Sequence, residues 1–269
     1  MPIFEVNNHN MYYEIHGAES APKAICMGGW GTFCHGRVSD GPRYLFENYQ
    51  VLTYDYRGIG ESTDELGQVP TMKLFASDVI GLLDKLGWSD VHVVGMVGMG
   101  ACVGQQVSYL RPDLARTLVM TGCWAWADPI MVDQLNMMVD VHAKMGWAEF
   151  QKLAASYSFD GEFYNANRER LLGVNGGWPD LNGRLEAQRR LVEACTTYDA
   201  RDELTTVKTP AIVVNAGRDP ITTPRHTGLI AELMPNCTSV DWPEATHVFA
   251  GREMRRKFDG LLKDFLESH

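Results

Sequence analysis

Val91-His92-Val93-Val94-Gly95-Met96-Val97-Gly98-Met99-Gly100-Ala101 is the stretch that decides the fold. Its first half is short, apolar and β-branched, which reads as a strand buried on both faces. Its second half is a glycine-rich turn that runs directly into a helical pattern over 99–110, ended by Arg111-Pro112. Working outward, further strand-like runs occur at 24–27, 49–54, 118–121 and 211–215, with a weaker one at 239–242. At the start, 3–6 and 11–16 flank Asn7–Asn10 as a hairpin. Helical patterns alternate with the strands at 71–86, 227–234 and 254–266. In the first of these Phe75, Val79, Leu82, Leu83 and Leu86 share one face. Such alternation predicts an α/β protein with a mostly parallel, doubly wound sheet.

The stretch from about 128 to 201 breaks the rhythm. It is helix-like, rich in methionine and aromatics, and carries no strand pattern. The expected organisation is therefore a core domain of residues 1–127 and 202–269, with a helical cap insertion at 128–201. Ligands bind beyond the carboxyl ends of strands in open α/β sheets, where such a cap would close over them.

With 269 residues, 45% of them apolar, the chain can bury one large core. The formal charge of −10 argues against nucleic acid as a partner. No apolar run reaches the ~20 residues that span a membrane, and residues 1–14 lack the basic start and apolar stretch of a targeting segment. Six scattered cysteines without a CxxC pair favour a reduced, cytoplasmic setting and give no metal site. No cofactor is called for. The expected partner is a small-molecule substrate, and homodimerisation is left open.

Four strand-end features then fall in order. Asp55-Tyr56-Arg57-Gly58-Ile59-Gly60-Glu61-Ser62 is a D-x-R-G-x-G-x-S loop between a strand and a long helix. Val214-Asn215-Ala216-Gly217-Arg218-Asp219-Pro220 places a carboxylate just past a strand, and Glu244-Ala245-Thr246-His247 places a histidine after the last one. The fourth is the opening stretch. Alone, Asp219 could be a helix N-cap and His247 a surface histidine. Together with the turn, and in this order, the features resemble the α/β-hydrolase superfamily over essentially the whole chain.

The resemblance implies Asp219 and His247 as the acid and base of a hydrolase-type site. It also asks for G-x-S-x-G at the strand–helix turn, where this chain has no serine. Centring the turn on Val97 would force a β-branched residue to positive φ. Centring it on Gly98 gives the strained slot to the residue that tolerates it, at the cost of a bulky Met96 two positions earlier. Gly98 is the expected occupant of the nucleophile slot, so no acyl-enzyme can form there. Cys102 and Cys123 are weak candidates for a displaced nucleophile. The resemblance further implies an oxyanion hole from the backbone N–H groups of Trp30 and Met99, with Gly29 beside Trp30.

The aromatic and methionine content of the cap, with Trp124, Trp126, Met131 and Trp147 as candidate substrate-binding residues, favours a mainly apolar, aromatic or cyclic small substrate. No basic cluster calls for a phosphate or coenzyme A group. The expected function is a hydrolase for an ester, an enol lactone or a vinylogous C–C bond, similar to bacterial ring-cleavage and enol-lactone hydrolases. Gly98 would mark either a native enzyme that activates water through His247 or an inactivated form. Two alternatives stand beside it. One is a serine-independent lyase, cyclase or cofactor-free oxygenase with His247 as general base; the other is a ligand-binding pseudoenzyme.

Overall fold

The computed structural model describes residues 2–174 and 176–269. Its sheet contains β1 (Ile3–Val6), β2 (His9–His16), β3 (Lys23–Met27), β4 (Gln50–Tyr54), β5 (Val91–Gly95), β6 (Ala115–Thr121), β7 (Ala211–Ala216) and β8 (Cys237–Trp242). The spatial order is β1-β2-β4-β3-β5-β6-β7-β8. β1 and β2 pair antiparallel across a two-residue turn on Asn7 and Asn8, which hold φ of 46° and 64°. β2 is antiparallel to β4, and every pairing from β4 across to β8 is parallel. The fold is the expected α/β class.

Alternate residues of each strand feed two apolar layers. Ile25 and Met27 of β3 join a cluster with Val79 and Leu82 of α2 (Met72–Leu86) and Val103 and Val107 of α3 (Met99–Leu110). Ala24 and Cys26 join a second cluster on the other face, with Leu45 of α1 (Arg43–Asn48) and Phe258 and Leu262 of α10 (Arg252–Glu267). Burial on both faces is why these strands show no polar alternation. α3 sits very close to the sheet. A Cβ on Gly100 would lie 2.4 Å from the carbonyl oxygens of Met27 and Gly28, and one on Gly104 2.8 Å from Leu118 Cδ1.

Between β6 and β7 the chain forms α4 (Pro129–Met145), α5 (Trp147–Ser158), α6 (Gly161–Leu171), α7 (Leu185–Thr196) and the short α8 (Arg201–Leu204). Asp128 caps α4 by accepting from the Met131 N–H at 3.0 Å, and Pro129 follows at the first helical position. The stretch from α4 to α7 is closed, ahead of α8, by a single bridge, Trp126 with Asp199. Beside it Ala127 N–H donates to Tyr198 O (3.1 Å) and Ala200 N–H to Ala125 O (2.8 Å).

The remaining helix, α9 (Pro224–Leu233), starts three residues ahead of the sequence pattern because Pro224 opens it. α1 has no counterpart in the sequence reading; six residues are too few for a helical period to register. Among the described residues no helix is long and apolar enough to cross a membrane.

Candidate active site

β3 and β5 lie side by side, yet the chain travels from β3 outward to β4 before returning to β5. Strand order reverses there, opening a crevice at the carboxyl ends. The loops after β3, β5, β6, β7 and β8 meet in it.

The turn after β5 carries two consecutive residues in the left-handed half of backbone space. Gly98 caps α3 at φ 81° and ψ −101°, and Val97 before it has φ 55°. The expectation that a β-branched residue stays out of this region fails at Val97. Its N–H donates to Thr121 Oγ1 (3.1 Å), and the Gly98 N–H donates to Thr121 O (3.2 Å). A Cβ on Gly29 would come within 2.3 Å of the Val97 carbonyl oxygen, so the loop after β3 presses on the turn from the other side. Tertiary contacts hold the strain. Gly95 takes the close approach to α3, its ideal Cβ falling 2.4 Å from Ala101 Cα. Met96 packs instead with the α1–α10 layer. Gly95 thus stands two residues before Val97 and three before Gly98, and both of these take positive φ.

Asp219 and His247 are brought together. Asp219 Oδ2 accepts from His247 Nδ1 at 2.8 Å and also from the Thr222 hydroxyl. Its Oδ1 accepts from the N–H groups of Ile221 (2.8 Å) and Thr222 (2.9 Å). Burial works to raise this carboxyl, but the charge and hydrogen bond of His247 and the Thr222 bonds outweigh it and pull the pKa down to about 2. Asp219 is therefore a fixed anion that holds the imidazole with Nδ1 protonated. Gly122, at φ 60°, seats the ring: a Cβ there would lie 3.1 Å from His247 Cε1. Val248 N–H donates to Ser158 O at 2.9 Å, tying the histidine loop to α5. No described residue is hydrogen-bonded to His247 Nε2.

His247 opens on a cavity of about 50 Å³, with Gly98, Met99, Trp30, Val97 and Trp124 on the sheet side. Leu135, Met138, Ala154, Ser158 and Trp178 close it from the helical segment, and Ile221 from the loop after β7. The backbone N–H groups of Trp30 and Met99 donate to no described residue. Trp124 covers Gly98: a Cβ on the glycine would be 3.2 Å from Trp124 Cζ3. Ser158 is the one hydroxyl-bearing residue on this wall.

Of the other residues singled out from the sequence, Trp126 lies outside the cavity with the Arg201 guanidinium 4.5 Å from its ring. Met131 is fully buried in the core, and Trp147 packs on Phe150 at 5.2 Å. Cys102 and Cys123 are fully buried and absent from the cavity wall; burial pushes both thiols well above their ordinary value. The loop from Asp55 to Ser62 folds around its own carboxylate. Asp55 Oδ2 accepts from Glu61 N–H at 2.8 Å, and Gly60, at φ 54°, leaves no room for a Cβ beside it. Sequence reasoning did not find Thr121, Gly122, Ser158, Trp178 or Thr222. Thr222 alone had a local signal, as the hydroxyl three residues after a strand-end aspartate.

A larger groove of about 1000 Å³ lies outside the cavity and shares Trp30, Val97 and Trp178 with it.

A sequence model described as the alpha/beta hydrolase family matches residues 15–258. A protein named "Putative carbamate hydrolase RutD" from Pseudomonas syringae pv. syringae is 27% identical over 241 residues, covering 86% of this chain and 89% of that protein. Its namesake in Caulobacter vibrioides is 24% identical over 263 residues, covering 96% and 95%. Among solved structures, an alpha/beta hydrolase enzyme from a Medee basin deep-sea metagenome library superposes with a TM-score of 0.86 at 22% identity, covering 98% of this chain and 97% of that one. The enol-lactonase from Burkholderia xenovorans LB400 gives 0.83 at 21% identity, covering 99% and 100%. The structural likenesses speak to the fold.

Proposed function

Because the chain is a hydrolase enzyme belonging to the alpha/beta hydrolase family, we propose that it cleaves a small carbonyl compound with water instead of a side-chain nucleophile. One observation carries the reading. The unoccupied nitrogen of an aspartate-held histidine opens on the same cavity as Gly98 and two free backbone donors, and that cavity is of water-to-small-molecule size. Position 98 then serves as the nucleophile slot, filled by water. His247 Nε2 takes a proton from this water as its oxygen attacks the carbonyl carbon. The Trp30 and Met99 N–H groups hold the resulting oxyanion. On collapse of the tetrahedral adduct, His247 returns the proton to the leaving group, and Asp219 stabilises the imidazolium between the two steps.

The Trp124 indole over Gly98 supports a slot without a side chain, because a serine there would have to press against it. Ser158, across the cavity, is suited to orient the water. The segment 128–201 acts as the cap. Esters, enol lactones and vinylogous C–C compounds are the substrate classes, and the relatives' name adds carbamates. The small cavity favours a compact reacting end.

The test compares the native protein, Gly98→Ser and His247→Ala on aryl esters, lactones, carbamates and β-diketones. Turnover by the native protein that falls about a hundredfold or more in His247→Ala is expected. Turnover by Gly98→Ser alone would sink the water mechanism in favour of a disabled serine enzyme.

A further inference from the structure

The outer groove has a composition at odds with the rest of the molecule. The chain carries 34 acidic and 24 basic residues. Yet Arg37, Arg43, Arg170, Arg252, Arg255 and Arg256 line the groove, against Asp40, Glu47 and Asp259. Arg37, Arg43 and Arg170 come from the loop after β3, from α1 and from α6, and they meet the run Arg252, Arg255 and Arg256 at the start of α10, a convergence that the sequence does not announce.

Their partners differ. Arg37 pairs with Asp180, and Arg43 with Glu47. Arg255 donates to the carbonyls of Ser39 and Gly41, which leaves its charge uncompensated. Arg170 lies 5.9 Å from the Phe163 ring. Among the described residues no carboxylate lies within salt-bridge distance of Arg170, Arg252 or Arg256. Against these six guanidinium groups the wall sets three carboxylates, Asp40, Glu47 and Asp259, and Glu47 is already paired with Arg43. The surplus is positive.

Between these charges the wall is aromatic: Phe33, Phe46, Phe159, Phe163, Trp178 and Phe249. A volume of about 1000 Å³ is at the upper end for a small-molecule site, far more than the inner cavity could take. Guanidinium groups recognise planar oxyanions by paired hydrogen bonds, and aromatic walls bury an apolar body.

We propose that the groove docks an oxyacid, a carboxylate or a phosphate ester attached to an apolar group, which is the anionic end of the substrate. Arg252 and Arg256 hold the acid, the phenylalanines hold the body, and the carbonyl end passes Trp30, Val97 and Trp178 to reach His247. The last clause rests on the hydrolytic reading above; the anion site itself does not.

The test measures binding to the full-length protein by titration calorimetry, with 2-naphthoate, 2-naphthyl phosphate and neutral 2-naphthamide as probes. At least one acid should bind about tenfold or more tightly than the amide, and weaken as salt rises. The tighter acid identifies the oxyacid class. The double variant Arg252→Gln/Arg256→Gln, at exposed positions without carboxylate partners, should lose this preference while its melting temperature stays unchanged. His247→Ala should bind the acids as the native protein does. Equal binding of acids and amide, or an acid preference that survives the double variant, overturns the proposal. Acid binding without any turnover would count against the hydrolytic mechanism and leave the anion site standing.

Discussion

At position 98 the backbone holds φ 81°, and the Trp124 indole stands 3.2 Å from where a Cβ would be. Any L-residue pays for that conformation, so Gly98→Ala should lower stability by roughly 1–2 kcal/mol in urea unfolding. Trimming the indole in Gly98→Ala/Trp124→Leu should bring no recovery of the backbone part. Asp219 makes a second residue-level prediction. Its folded pKa, about 2, is depressed below the ordinary carboxylate value, so its stabilisation is complete above about pH 4 and disappears as pH falls through 2. The stability gap between native protein and Asp219→Asn, measured by urea unfolding, should therefore shrink by about 1 kcal/mol from pH 5 to pH 3. A gap that is flat across this window would mean that Asp219 is not held as a buried anion. Asp219 was singled out in the sequence because it lies three residues past a strand, and Gly98 because it stands in the turn between a strand and a helix. Thr121 and Gly122, which support the turn and the imidazole, were not: their partners lie 23 and more residues away, and a lone Thr-Gly pair carries no pattern.

At the scale of elements, the fit of α3 against the sheet decides where the Met99 N–H stands. Gly100 meets rigid backbone, the carbonyls of Met27 and Gly28 at 2.4 Å, whereas Gly104 meets the ends of side chains. Gly100→Ala should thus cost more than Gly104→Ala, on the order of 2–3 kcal/mol, and should shift the Met99 N–H, which the proposed mechanism uses as an anion donor. Chemical denaturation of the two variants checks the order, and equal losses would contradict it. Strands and long helices were legible because their apolar periods are strong. Which residue of the turn after β5 takes positive φ was not, since sequence offers only a choice between Val97 and Gly98. The structure gives positive φ to both.

At the scale of the molecule, charge is distributed against its own average. A net −10 said only that nucleic acid was an unsuitable partner. Convergence of arginines from four separated elements is a product of topology, and composition cannot report it. The same holds for the wall of the inner cavity, where Trp178 and Ser158 arrive from a segment whose aromatic content was visible but whose orientation was not.

The closing of the stretch from α4 to α7, at Trp126 and Asp199, has a consequence for how such a chain can vary. Entry and exit are stapled side by side, so everything between them behaves as a cassette. Insertions or deletions inside it need not shift the register of β6 against β7. The strand ends can stay constant while the cassette is exchanged, provided the Ser158 carbonyl that holds the histidine loop is kept, and a new shape over the same histidine would follow from changes in that one stretch.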